Sequence, residues 1–271
     1  MPELPEVETT RRGIEPHIQD QMITEIIVRD SRLRWPVPES LKTEAVDQKV
    51  LSVKRRGKYI LINTKIGTII LHLGMSGNLR VLKKNSEVKK HDHIDLILSN
   101  DKCLRFHDPR RFGACLWTNE NPLDHKLIKN LGPEPWDPEF NAERLFKQSR
   151  NRKVAIKNFI MDSKVVVGVG NIYASEALFQ SGIRPDAAAG KVSKKRYEKL
   201  IEAVQVILQR SIDQGGTTLK DFLDSSGQPG YFQQELLVYG RFAEPCLTCE
   251  SPIEKKIIGQ RSSFYCPKCQ K

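Results

Sequence analysis

The sequence contains no apolar run long enough to cross a bilayer, and no apolar core of a secretory leader follows Met1. Internal repeats and extended low-complexity tracts are also missing, which argues against a solenoid or a linker-dominated chain. Cysteine is sparse: six in 271 residues. Four of the six form C-x-x-C pairs, so a disulfide scaffold is not expected. Cys103 and Cys115 lie in apolar, strand-like stretches and are read as core packing. Acidic residues fall short of basic ones, 33 against 44, for a formal charge of +11. A basic chain of this size points to a polyanionic partner, most often nucleic acid. The expectation is a soluble cytoplasmic protein without a membrane partner. Its length suits two domains, or one large one, with a sizeable core.

The pattern along the chain divides. Pro5 is placed to open a first helix. Short apolar or alternating runs follow at 23–28, 50–54, 59–63, 69–73, 79–82, 94–98, 103–106 and 114–117, punctuated by Gly, Asn, Asp and Pro. They predict a β-sandwich or barrel-like domain flanked by the N-terminal helix. Around Asn130-Leu131-Gly132-Pro133-Glu134-Pro135 the character changes to helical periodicity, over 142–149, 154–161, 172–181 and 193–214. Three domains are expected: 1–131, 132–235 and 236–271. The connection Lys164-Val-Val-Val-Gly-Val-Gly-Asn171 reads as a helix–turn–helix link in which Asn171 caps the second helix and aims backbone N–H groups at a phosphate.

Several motifs carry chemistry. With Met1 removed, Pro2 presents a secondary amine, and such an amine condenses with an aldehyde-level carbon to an iminium. Glu3 stands beside it for proton transfer. Cys246-x2-Cys249-x16-Cys266-x2-Cys269 supplies four thiolates for one tetrahedral zinc. No coordination position is left for water, so the metal is structural. Strands over 253–258 and 263–265, joined through Gly259-Gln260-Arg261, make this a zinc-ribbon hairpin with Arg261 at its tip. In Lys54-Arg55-Arg56-Gly57-Lys58-Tyr59, Gly57 permits a bend that places Lys58 in a cleft. Met75 sits on a turn between Gly74 and Gly77, either tucked into the core or serving as a wedge into a base stack. Asp108-Pro109-Arg110-Arg111-Phe112-Gly113 sets guanidiniums beside an aromatic, which suits phosphate gripping and stacking if Phe112 is exposed, and plain packing if it is buried. His91-Asp92-His93 has no obvious third metal ligand, so hydrogen bonding is preferred over metal binding. The segment from Gly215 to Tyr231 reads as a surface linker or a lid.

Taken together these motifs resemble the bacterial formamidopyrimidine-DNA glycosylase family, from Met-Pro-Glu-Leu-Pro-Glu-Val-Glu through Arg-Arg-Gly-Lys-Tyr, Asp-Pro-Arg-Arg-Phe-Gly and Gly-Val-Gly-Asn-Ile-Tyr to the four-cysteine finger. The resemblance implies an α+β multidomain fold: an N-terminal β-sandwich with a flanking helix, then a helix-two-turn-helix domain with a zinc-ribbon finger. It implies base-excision repair of oxidised purines in double-stranded DNA by a monomer with one structural Zn2+. The implied catalytic set is Pro2 as nucleophile, Glu3 as acid, Lys58 assisting β-elimination and Arg261 assisting δ-elimination. Met75, Arg110 and Phe112 would fill the gap left by the flipped base. His91, Arg152, Asn171 and Lys220 would contact DNA, and the segment from Thr217 to Tyr231 would cap the lesion. Three alternatives stay open: an endonuclease VIII-like enzyme for oxidised pyrimidines, a non-catalytic zinc-ribbon nucleic-acid-binding protein, and an N-terminal-proline tautomerase. The last accounts for Pro2 alone.

Overall fold

A computed structural model of the protein describes residues 2–215 and 236–271. The described chain forms two compact units, one from residues 2–130 with 214–215 and one from 131–213 together with 236–271. Lys220 and the whole expected capping segment, Thr217 to Tyr231, lie outside the described residues.

The first unit is a sandwich of two four-stranded antiparallel sheets. One sheet runs β1 (Ile23–Val28), β6 (Asp92–Leu98), β7 (Lys102–His107), β5 (Asn78–Lys83). The other runs β2 (Ser52–Arg56), β3 (Tyr59–Asn63), β4 (Thr68–His72), β8 (Ala114–Thr118). Alternate residues meet between the sheets: Ile60, Ile62, Ile69 and Leu71 from one, Ile94, Leu96, Leu104 and Phe106 from the other. Helix α1 (Leu4–Ile18) adds Val7, Ile14 and Ile18 to this core. Cys103 and Cys115 are both fully buried, as the apolar context predicts.

Two local expectations shift. β2 begins two residues later than the apolar run, because Val50 is bonded to the 20–21 segment: its carbonyl accepts from Asp20 and its N–H donates to Gln21. The ladder with β3 then extends to Arg56 opposite Tyr59. A six-residue helix, α2 (Glu39–Glu44), interrupts the stretch read as purely β. It buries only Leu41, too little for a visible period.

In the second unit, α3 (Ala142–Ser149), α4 (Ile156–Met161), α5 (Asn171–Gln180) and α6 (Lys194–Asp213) share a core that includes Leu145, Ile160, Ala174, Leu178, Leu200 and Leu208. The zinc-ribbon hairpin, β9 (Glu254–Ile258) and β10 (Arg261–Tyr265), packs with Phe179 and Val238 around Cys246 and Cys266. Its turn is Gly259-Gln260, with φ of 55° and 63°, the left-handed pair that two-residue hairpin turns require. Arg261 is therefore the first residue of β10, paired with Ile258, and not part of the turn as expected.

Candidate active site and nucleic-acid interface

Pro2 and Glu3 are both buried at the head of α1. Glu3 is the N-cap and forms a capping box with Glu6, whose Oε2 accepts the Glu3 N–H at 2.8 Å. The first two candidate catalytic residues are thus fixed by the helix start itself. Glu8, one turn further on, accepts from Arg55 at 3.1 Å, and Arg55 also donates to the Gly57 carbonyl at 3.0 Å. The 57–58 turn that carries Lys58 is in this way tied to α1. Lys58 lies near the half-buried His72, a strand residue whose Nδ1 accepts the Gly74 N–H at 3.0 Å. Lost hydration, then the Lys58 and Arg34 cations, pull the His72 imidazolium down to about 4.

Three loops of the same unit carry the candidate DNA contacts. Met75 is 36 % exposed and Phe112 42 % exposed, so neither is core. The Arg110 guanidinium lies over the Phe112 ring at 4.8 Å, a cation–π contact. The two loops touch through backbone: a Cβ at Gly74 would come within 2.5 Å of Gly113 N and the Phe112 carbonyl carbon. Gly74 also has φ of 66°, so a side chain there is excluded twice over. His91 takes a left-handed φ of 74°, and its ring centroid lies 6.2 Å from that of His93 and 6.1 Å from that of His107. Loss of hydration and then neighbouring cations, Lys90 first, lower its pKa. His93 Nε2 bonds the Asp108 carbonyl at 2.8 Å. Asp92, between the histidines, is buried against Arg80, Arg105 and His107.

The second unit holds the others. Arg152 is exposed, its guanidinium 5.6 Å from the Phe159 ring centroid. Asn171 is the first helical residue of α5, not its cap: Gly170 takes the N-cap position in extended geometry. The Asn171 amide donates to the Ser262 carbonyl at 3.0 Å, beside Arg261. Fully buried Lys157 donates to the same carbonyl at 3.1 Å and to Ser263 Oγ at 2.6 Å. Arg261 is exposed at the start of its strand. Glu176 accepts the N–H groups of Leu237, Val238 and Tyr239 at 2.8–3.0 Å, and burial raises its pKa. Sequence reasoning missed Lys157, Glu176 and Asp108. A buried charge bonded to backbone leaves no spacing signal.

The four cysteine Sγ atoms all lie within 4.8 Å of one another. Cys249 to Cys266 is 3.4 Å and Cys246 to Cys269 is 4.0 Å, bracketing the ~3.8 Å edge of a tetrahedron with Zn–S bonds of about 2.3 Å. The Thr248 N–H points at Cys246 Sγ and the Cys269 N–H at Cys266 Sγ, both at 3.4 Å, as suits thiolates. With four protein ligands and no open position, this is a site for one structural zinc. Among the described residues no other cluster of three or more metal-ligating side chains occurs, and no helix is long and apolar enough to cross a membrane.

Comparison with known proteins accounts for this arrangement. The model of the formamidopyrimidine-DNA glycosylase N-terminal domain matches residues 1–115, that of the same family's H2TH domain residues 131–223, and the zinc finger found in FPG and IleRS residues 243–271. The formamidopyrimidine-DNA glycosylase of Pseudomonas putida strain F1 is 55 % identical over 271 residues, covering 100 % of both chains. A Lactococcus lactis FPG mutant in complex with a Fapy-dG-containing DNA superposes with a TM-score of 0.92 at 32 % identity, over 100 % of each chain. MutM in complex with a carbocyclic 8-oxo-G-containing DNA gives 0.91 at 33 %, again over 100 % of each. The chain belongs to the formamidopyrimidine-DNA glycosylase family.

Proposed function

We propose that this chain is a bifunctional DNA glycosylase and AP lyase of base-excision repair. It removes oxidised purines, 8-oxoguanine and formamidopyrimidines, from double-stranded DNA and then cuts the strand. It acts as a cytoplasmic monomer with domains 1–131, 132–235 and 236–271. Full-length kinship with named glycosylases supports the reading. The observation that carries it is Pro2 and Glu3, buried together at a capped helix start on the unit that also carries the Lys58 turn and the Met75 and Phe112 loops.

The chemistry follows from these groups. An α-amine titrates near 8, so Pro2 is partly an uncharged nucleophile at neutral pH. Its nitrogen attacks C1′, the N-glycosidic bond breaks, and the base leaves with a proton. Glu3 donates a proton to the sugar ring oxygen as the ring opens, giving an iminium between Pro2 and C1′. The iminium acidifies the C2′ protons. Loss of one, assisted by Lys58, expels the 3′ phosphate; a second elimination, assisted by Arg261, expels the 5′ phosphate. Water then releases the sugar fragment as an aldehyde and frees the amine. The zinc holds the hairpin that carries Arg261 and takes part in no bond change. Extruding the base costs a few kcal/mol of unstacking, which Met75, Arg110 and Phe112 offset by filling the gap. His91, Arg152, Asn171 and Lys220 are assigned to the DNA backbone.

Borohydride trapping on an end-labelled duplex with one 8-oxoguanine opposite cytosine tests the reading. A lesion-dependent covalent adduct is expected, and Pro2→Gly is expected to lose it. An adduct on thymine glycol but not on 8-oxoguanine assigns the lesion to the pyrimidines. DNA binding with neither adduct nor strand cleavage would sink the glycosylase reading.

A further inference from the structure

Resting on that reading, we propose that Asp108 and Ser76 are positioning residues that lock the separate DNA-probing loops into one preformed wedge. Asp108 is fully buried yet touches all three loops. Its Oδ1 accepts from Ser76 Oγ at 2.7 Å, in the loop of Met75. The same carboxylate accepts the Gly113 N–H at 2.8 Å and the Arg110 N–H at 3.3 Å, on either side of Phe112. Its backbone N–H donates to the His91 carbonyl at 3.1 Å, and its own carbonyl takes the His93 bond already described. Ser76 closes the circuit, because its Oγ also accepts the Arg110 N–H at 3.3 Å.

The physical reason is preorganisation. Met75 and Phe112 are exposed side chains on short loops, and each must be ordered when it enters a base stack. A buried carboxylate saturated by two loop N–H groups and one hydroxyl fixes both loops before DNA arrives, so that ordering cost is met at folding. The glycine contact at position 74 brings the backbones close enough for one carboxylate to reach both. Neither Asp108 nor Ser76 is given a contact with the reacting atoms.

The test separates wedge from chemistry. The zinc-loaded full chain, Ser76→Ala, Ser76→Thr and Asp108→Asn are compared on two substrates. One is a duplex with 8-oxoguanine opposite cytosine. The other is a single-stranded oligonucleotide with an abasic site, where there is no stack to open and no opposite base to displace. Under single-turnover conditions Ser76→Ala is expected to slow duplex excision about tenfold, the effect of one charge-assisted hydrogen bond. Asp108→Asn slows it further, and Ser76→Thr restores it. Cleavage of the single strand stays within about twofold of the parent for the Ser76 variants. Proportional loss on both substrates, or unchanged duplex excision by Ser76→Ala, overturns the inference. A parent chain that processes neither substrate overturns the glycosylase reading on which it rests. If Asp108→Asn does not fold, the Ser76 pair still decides.

Discussion

His72 shows how single residues here are set by their neighbours. Its Nδ1 is occupied by the Gly74 N–H, and burial with the Lys58 and Arg34 cations opposes a charged ring, so it stays neutral to about pH 4. The unfolded chain has an ordinary histidine near 6.5 and binds the proton first as pH falls. Stability linked to His72 is therefore present above about 6.5 and lost as pH drops toward 4. Urea unfolding at pH 7.5 and 5.0 is expected to show the parent losing on the order of 1–2 kcal/mol more than His72→Gln. An equal pH response in the two proteins would refute the assignment. The sequence marked position 72 only as part of an apolar run, since what matters there is the Lys58 cation on the turn before the neighbouring strand β3.

At the scale of elements, the zinc hairpin depends on two kinds of support. Its own core is small, Val238, Ile253 and Phe264 with Phe179 and two cysteines. A cluster of that size does not hold two strands without the metal. Stripping zinc with a chelator is expected to release about one equivalent per chain. DNA affinity falls at the same time, while the sandwich, whose core contains no ligand, keeps its unfolding transition. A metal-free protein that binds DNA as well as the parent would exclude this account. The second support comes from Lys157 and Asn171, which converge on the Ser262 carbonyl from α4 and α5. Most helix and strand bounds were legible from pattern, for example 59–63 and 142–149. The α5 cap was not, because Asn171 is a good capping residue that the fold uses one position inside the helix, bonded to the hairpin.

For the whole molecule, net charge is the relevant quantity. At +11, with Lys58, Arg110, Arg152 and Arg261 half-buried or exposed, the chain is built to neutralise phosphates. If Lys58, Arg152, Arg261 and Lys220 each neutralise one phosphate, log affinity against log salt is expected to have a slope of about −4. Titrations of undamaged duplex at several salt concentrations give that slope, and Arg152→Ala is expected to reduce it by about one unit. A flat salt response would contradict the phosphate assignments. Lesion recognition, by contrast, is expected to follow the wedge and to vary less with salt, since two of its three side chains, Met75 and Phe112, carry no charge.

The sequence by itself determined the chemistry-bearing set: an N-terminal proline beside a glutamate, four thiolates at zinc spacing, and basic loops with apolar residues at their tips, whose exposure only the structure decided. These are legible because reactive groups and metal ligands are fixed by residue type and short spacing. It also determined a sandwich or barrel-like β region followed by a helical region, through periods of two and 3.6; the pairing into two four-stranded sheets came from the structure. Only the tertiary structure decided which groups hold the others in place. Asp108 reaches Ser76 across 32 residues, and Lys157 reaches Ser262 across 105. Such partners are brought together by chain topology, and no local pattern records a hydrogen bond between residues that distant in sequence.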